Sequence, residues 1–171
     1  MTSAASRASW THRLATYDEL PGIVAIYNAT IPSRMVTADL EPVSVESRVE
    51  WFRQHRADFR PLWVATEGAR IAGWLSFSTF YGRPAYDKTA ELSVYIDEAF
   101  RNRGLGSYFL AQAIAHAPRI GVDRLIGFVY GHNLPSLALF AKHGFARWGE
   151  LPGVTRLDEI ERDVVILGRR A

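Results

Sequence analysis

At 171 residues, with 48% hydrophobic, 22% charged and 12% aromatic residues, the chain has the make-up of one ordinary globular domain and not of a disordered one. Lys+Arg 20 against Asp+Glu 18 leave a net charge of +2, with no run of five like charges, so no nucleic-acid partner is expected. Without cysteine, disulfides, thiolate catalysis and cysteine-ligated metals are excluded, and the histidines at 12, 55, 116, 132 and 143 lack metal-ligand spacing, so no metal is expected.

Met1–Ser9 is small and polar and reads as a disordered lead-in to a single domain over 10–171. It has no apolar leader, and no window approaches a membrane span, so no membrane partner is expected and a cytoplasmic location follows by default. His12–Ala15 reads as a short strand. Thr16-Tyr17-Asp18-Glu19 matches a capping box, and Leu20, Ile23, Val24 and Tyr27 follow at helical spacing. Ile31–Pro42 reads as a loop, and a second helix starts near Ser44 with Val45, Val49 and Phe52 on one face. Leu62–Thr66 and Ile71–Phe80 form a hairpin around Glu67-Gly68-Ala69-Arg70. Trp74 and Phe77 lie on opposite faces of its second strand, which should therefore be buried on both sides. Thr89–Ile96 is a strand, Leu105–Ala117 a helix ended by Pro118 and Gly121, Leu125–Val129 a strand and Leu134–Lys142 a helix stopped at His143-Gly144-Phe145. Ala146–Leu151 and Asp163–Leu167 supply the last strands. This order predicts an α/β (α+β) fold with one mixed sheet covered on both faces.

The most informative segment is Arg101-Asn102-Arg103-Gly104-Leu105-Gly106-Ser107, which follows a strand and opens a helix. Its glycines let backbone approach a ligand, and the N–H groups and dipole at a helix start favour an anion such as a pyrophosphate. A P-loop would need a lysine here, and a dinucleotide fingerprint a third glycine. What remains is Arg-x-x-Gly-x-Gly, although a plain glycine turn capping a helix fits the same residues.

That motif resembles the pyrophosphate loop of the GNAT N-acetyltransferase superfamily. Ile26-Tyr27-Asn28, Arg83-Pro84-Ala85-Tyr86-Asp87-Lys88-Thr89-Ala90-Glu91, Ser93-Val94-Tyr95-Ile96, Asn133-Leu134-Pro135-Ser136 and Lys142-His143-Gly144-Phe145 resemble its phosphinothricin and methionine sulfone acetyltransferase-like branch. The resemblance implies the GNAT fold, a mixed, mostly antiparallel sheet of about seven strands, with acetyl-CoA between two splayed parallel strands. The backbone of Val94, Tyr95 and Ile96 would bond the pantetheine arm as an added strand would. The N–H groups of Asn102, Arg103, Gly104, Leu105, Gly106 and Ser107 would hold the pyrophosphate, and Asn133 would bond the pantetheine arm from the far side, with Ser136 also at the donor. A turn asparagine capping a helix is the plainer reading of Asn133. The branch also implies a homodimer, with the Trp51-Phe52 pair read as core or as its interface.

Acetyl transfer to an amine needs a neutral amine, a polarised thioester and a proton for the leaving thiolate. Glu91, on a strand with Leu92, Val94 and Ile96, is the candidate general base, since burial raises a carboxyl toward neutrality. A backbone N–H at or near Val94 is the candidate oxyanion donor. Many superfamily members carry a tyrosine where this chain has Phe140, so Tyr130, Tyr108 or water is left as the acid, or the thiolate leaves unassisted. Arg83, Tyr86, Lys88 and Thr89 are the candidate substrate contacts, with residues of the Asn28–Arg34 loop closing over the substrate. Where the phosphinothricin enzymes carry a histidine this chain has Asp158, read as a solvated loop acid. The expected reaction is acetylation of the α-amine of a small amino acid or analogue, of the phosphinothricin, methionine sulfone or methionine sulfoximine type. The alternatives are a protein N-terminal or lysine acetyltransferase and a CoA-binding sensor without turnover.

Overall fold

The computed structural model describes residues 10–171, so the lead-in expected over 1–9 lies outside the described residues. In chain order the elements are β1 (Arg13–Leu14), α1 (Leu20–Thr30), α2 (Val49–Arg53), β2 (Leu62–Glu67), β3 (Arg70–Thr79), β4 (Thr89–Ile96), α3 (Leu105–His116), β5 (Arg124–Tyr130), α4 (Leu134–Lys142), β6 (Ala146–Leu157) and β7 (Ile160–Arg170). The seven strands form one sheet in the order β1-β2-β3-β4-β5-β7-β6. Among the described residues only β4 and β5 pair parallel; the other pairs are antiparallel.

Side-chain alternation on β3 divides the core. Trp74 faces α1, where Ile23, Ile26, Leu62 and Val64 surround it, and its indole N–H donates to the Ile23 carbonyl at 3.0 Å. Phe77, on the opposite face, joins the larger cluster of Phe109, Leu110 and Ala113 from α3 and Phe140 from α4. Burying a phenylalanine such as Phe109 contributes about 1.5–3 kcal/mol. β3 is thus covered on both sides, and the Trp51-Phe52 pair packs against the smaller cluster.

Four boundaries differ from expectation; β7, expected over Asp163–Leu167, runs over Ile160–Arg170. The Thr16 N–H donates to Glu19 Oε2 at 2.8 Å as a capping box requires, but the turn it starts is 3₁₀. Pro21 has no N–H to return to the Tyr17 carbonyl, which the Leu20 N–H takes instead, so α1 begins only at Leu20. The second helix opens as a 3₁₀ turn over Glu46–Arg48 and is α-helical only over Val49–Arg53. β6 does not stop before Pro152-Gly153 but runs through it on a bulge between Leu151 and Thr155. Gly153 takes φ +58° there, and its N–H donates to Asp163 Oδ1 at 2.7 Å.

Candidate active site

The parallel ladder between β4 and β5 is short: Thr89 pairs with Arg124, Ala90 with Leu125 and Glu91 with Ile126. Beyond Glu91 the strands part, because β5 continues against β7 while β4 continues only against β3. The β5-facing edge of residues 92–96 is therefore without a strand partner, and Glu91 sits at the apex of the split.

A cleft of about 540 Å³ opens along this split. Of the residues expected to hold the donor, Val94, Tyr95, Ile96, Asn102, Gly104, Leu105, Gly106, Ser107, Asn133 and Ser136 line it. Asn102 and Gly104 adopt left-handed φ values of +61° and +82°, which curl successive N–H groups into a concave ring at the start of α3. Bonding inside the helix resumes at Tyr108, whose N–H reaches the Gly104 carbonyl at 2.9 Å, so the N–H groups before it remain for an anion. The Ser107 hydroxyl meets His143 Nε2 at 2.7 Å, tying α3 to the end of α4.

The side chains of two of these residues are engaged elsewhere, leaving the assigned backbone N–H of Arg103 untouched. Arg103 turns away from the cleft: its guanidinium pairs with Glu67 and lies 5.2 and 5.3 Å from the ring centroids of Trp10 and Phe100. Arg101 lines the cleft in its place. Asn133 has both halves of its amide engaged. Its oxygen caps α4 by accepting from the Ser136 N–H at 3.2 Å, and its nitrogen donates to the Met35 carbonyl at 2.9 Å. The plainer reading of Asn133 as a helix cap is thus what the structure displays, although the residue also borders the cleft.

A second cavity, of about 210 Å³, lies on the α1 side of the sheet. Its floor is three cross-strand pairs in register, Trp74 with Tyr95, Ser76 with Ser93, and Ser78 with Glu91. The first is a ring stack 4.4 Å between centroids. Ile23, Val24 and Tyr27 of α1 together with Val43, Arg48 and Trp51 form the walls. Tyr95 borders both spaces, so only β4 separates cavity from cleft. Burial in this cavity pushes the Glu91 carboxyl above its ordinary pKa of 4.5. The Tyr27 hydroxyl donates to Asp39, which Arg48 meets at 3.0 Å, and the guanidinium stands 5.0 Å from the Tyr27 ring centroid. Burial raises the pKa of Tyr27 and Tyr95 as well.

The expected substrate contacts are elsewhere. Arg83, Tyr86 and Lys88 are exposed on the loop between β3 and β4, where Tyr86 packs on Phe80 and Tyr81. Thr89 is buried, its carbonyl accepting from Arg60. None of these four borders the cavity; Arg48 is the cation that lines it among the described residues. Tyr130 borders neither space: it is buried, stacked 5.4 Å from His132, with its hydroxyl beside Thr155. Tyr108 bonds His12 Nδ1 at 2.9 Å, and Phe140 lines the cleft, edge-on to Phe145.

The loop expected over Asn28–Arg34 does reach the cleft, through Thr30 and Ser33, but its roof extends two residues further than expected. Met35 and Val36, on the loop after α1, line the cleft. Arg34 pins that loop through a forked ion pair with Asp158, at 3.0 and 3.1 Å, so Asp158 is not merely solvated. His132 adds a bond to the Arg34 carbonyl at 2.9 Å.

A split parallel pair, a helix start whose N–H groups lack intrahelical partners and a half-buried carboxyl at the apex are features suited to acyl transfer. Residues 23–145 match the Acetyltransferase (GNAT) family, and the chain belongs to that family of acetyltransferases. It is 57% identical over 160 residues, 93% of this chain and 98% of the other, to the Bacillus subtilis (strain 168) protein YwnH, provisionally named a phosphinothricin acetyltransferase. An L-methionine sulfoximine/L-methionine sulfone acetyltransferase of Pseudomonas paraeruginosa is 29% identical over 137 residues, 80% of each chain. A crystal structure provisionally assigned as a phosphinothricin N-acetyltransferase superposes with a TM-score of 0.90 at 56% identity, covering 95% of this chain and 98% of that one. No helix among the described residues is long and apolar enough to cross a membrane.

Proposed function

We propose that the chain moves the acetyl group of acetyl-CoA to the α-amine of a small amino acid whose side chain ends in a sulfone, sulfoximine or phosphinate. The observation that carries this is Glu91, which ends the parallel ladder and faces the small cavity across β4 from the cleft. Acetyl-CoA, when bound, supplies an activated acetyl carbon and a thiolate leaving group. The backbone N–H groups of Asn102–Ser107 hold its diphosphate, and the unpaired edge of Val94, Tyr95 and Ile96 bonds the pantetheine arm.

The amine enters the cavity as an ammonium. Glu91 accepts its proton, freeing the nitrogen lone pair for the acetyl carbon, and the raised pKa of Glu91 brings the two proton affinities closer. A backbone N–H at or near Val94 donates to the carbonyl oxygen as negative charge builds there. As the C–S bond breaks, the nitrogen gives up its second proton to water and the sulfur leaves as thiolate or takes a proton from water, since Tyr130 and Tyr108 stand apart. Arg48 and the hydroxyls of Ser76, Ser78 and Ser93 are the donors at hand for the carboxylate and the side-chain oxygens of the acceptor. The names of the relatives support the acceptor class, and the small volume of the cavity suits an amino acid better than a polypeptide. The branch resemblance supports a homodimer, and a polyanionic donor that does not cross bilayers unaided supports work in the cytoplasm.

The test is thiol release from acetyl-CoA against phosphinothricin, methionine sulfone, methionine sulfoximine and the common amino acids, with Glu91→Gln alongside. We expect turnover on at least one of the three analogues and a loss of about 10²–10⁴ in kcat/KM in the variant. Donor binding without release on any small amine would overturn this function.

A further inference from the structure

The loop that borders the cleft is gripped from its outer side by an element remote in sequence. The indole N–H of Trp10 donates to the Arg103 carbonyl at 2.9 Å, across 93 residues. The Trp10 ring meets Phe100 edge-on at 6.3 Å, and the Arg103 guanidinium lies close to both rings while pairing with Glu67 at the β2–β3 turn. Trp10 does not border the cleft, whereas Asn102, Gly104, Leu105 and Gly106 do.

The peptide between Arg103 and Gly104 joins these two sides. Described peptide bonds are trans, and in a trans peptide C=O and N–H point in opposite directions. A carbonyl tied outward to Trp10 therefore directs the Gly104 N–H inward. The tie matters because Gly104, at φ +82°, carries no Cβ to resist a turn of this peptide plane. An inverted plane would aim a carbonyl, with its partial negative charge, at the site meant for an anion.

We infer that Trp10 is a positioning residue for the donor: its indole N–H locks the Arg103–Gly104 peptide with the N–H facing the diphosphate of acetyl-CoA. This rests on the reading of the cleft as the acetyl-CoA site, and it makes a segment outside the catalytic strands part of donor recognition.

Trp10→Phe keeps a ring against Phe100 and Arg103 while deleting the N–H. Each variant is compared with wild type using two donors, acetyl-CoA and S-acetylpantetheine, the second lacking the diphosphate and nucleotide. Trp10→Phe should raise the KM for acetyl-CoA about three- to tenfold, the effect of one hydrogen bond. The kcat, the amine KM and the KM for S-acetylpantetheine should stay within about twofold of wild type, since none of them depends on that bond. Trp10→Ala should do the same or more, with a thermal melt on each variant to show that it is folded. An unchanged acetyl-CoA KM in Trp10→Phe would overturn the inference, as would an equal rise with both donors or a fall confined to kcat. Failure of the underlying reading shows in the wild type instead, as no preference for acetyl-CoA over S-acetylpantetheine.

Discussion

Gly104 and Gly121 make a matched pair on which the donor-loop argument can be tested. Both are left-handed, at φ +82° and +72°, and a Cβ added at either would meet nothing within 4 Å. The cost of alanine is therefore conformational in both. Left-handed backbone costs an alanine about 1–2 kcal/mol, offset by about 0.4–1 kcal/mol from the stiffer unfolded chain, for a net loss near ~1 kcal/mol. An unfolding entropy of about 2.1 cal/mol/K per residue over the whole chain converts that to a fall of about 3 °C in Tm. Gly104→Ala and Gly121→Ala should thus melt equally early. They should part in kinetics, because Gly104 lines the cleft where the diphosphate is proposed to sit and a methyl there projects into space the donor would fill, whereas Gly121 lies in the turn between α3 and β5. We expect the KM for acetyl-CoA to rise at least about tenfold in Gly104→Ala, equivalent to about 1.4 kcal/mol, and to hold in Gly121→Ala. Differential scanning fluorimetry and steady-state kinetics on the two proteins decide it. Equal KM values would refute the anion-binding role of the loop, and equal melting with wild type would refute the strain arithmetic.

Three further outcomes follow from buried charge and from the roof. Because burial raises the folded-state pKa of Glu91 above 4.5, its contribution is fully present below that pH and is lost as pH rises through the raised value. Glu91→Gln should therefore melt above wild type at pH 8 and match it at pH 4; equal melting at pH 8 would contradict this. Burial lowers the pKa of His12, His55 and His116 below 6.5, so the unfolded chain takes protons first and stability is lost as pH falls through 6.5. Tm should fall between pH 7 and pH 5, and less so in His116→Phe, whose ring can keep the edge contacts to Trp63 and Phe77; an equal slope would argue against His116. Asp158→Ala should leave Tm unchanged, as an exposed ion pair adds little. It should raise both substrate KM values severalfold by freeing Arg34, and unchanged kinetics would show that the roof is held without it.

How much could be read in advance depended on sequence distance. β4 and α4 have the boundaries that alternation and capping predicted, because local signals settle them. The glycine loop announced itself for the same reason. The substrate contacts did not: Arg83 and Lys88 lie close to Glu91 along the chain, but the strand pleat puts Glu91, Ser93 and Tyr95 on the cavity face and leaves the loop outside it. Ser76 and Ser78, polar and two apart on a strand with a buried core face, were the available hint of a polar floor opposite Glu91. The Arg34–Asp158 clasp spans 124 residues and the Trp10–Arg103 bond 93, and no local pattern encodes either. Pro152-Gly153 reads as a stop, and only pairing with β7 shows that the strand continues beyond it.

The short ladder between β4 and β5 bears on turnover as well as on binding. In the proposed mode the edge left open by the parting strands holds a pantetheine arm, and that arm is the same before and after the acetyl group has gone. The diphosphate ring is equally indifferent. On that reading both features hold substrate and spent carrier alike, and so bring the donor to the site without lowering the barrier to its reaction. With the proposed donor, free CoA should thus compete directly with acetyl-CoA for the cleft, and its departure is the natural slow step once acetyl transfer is fast.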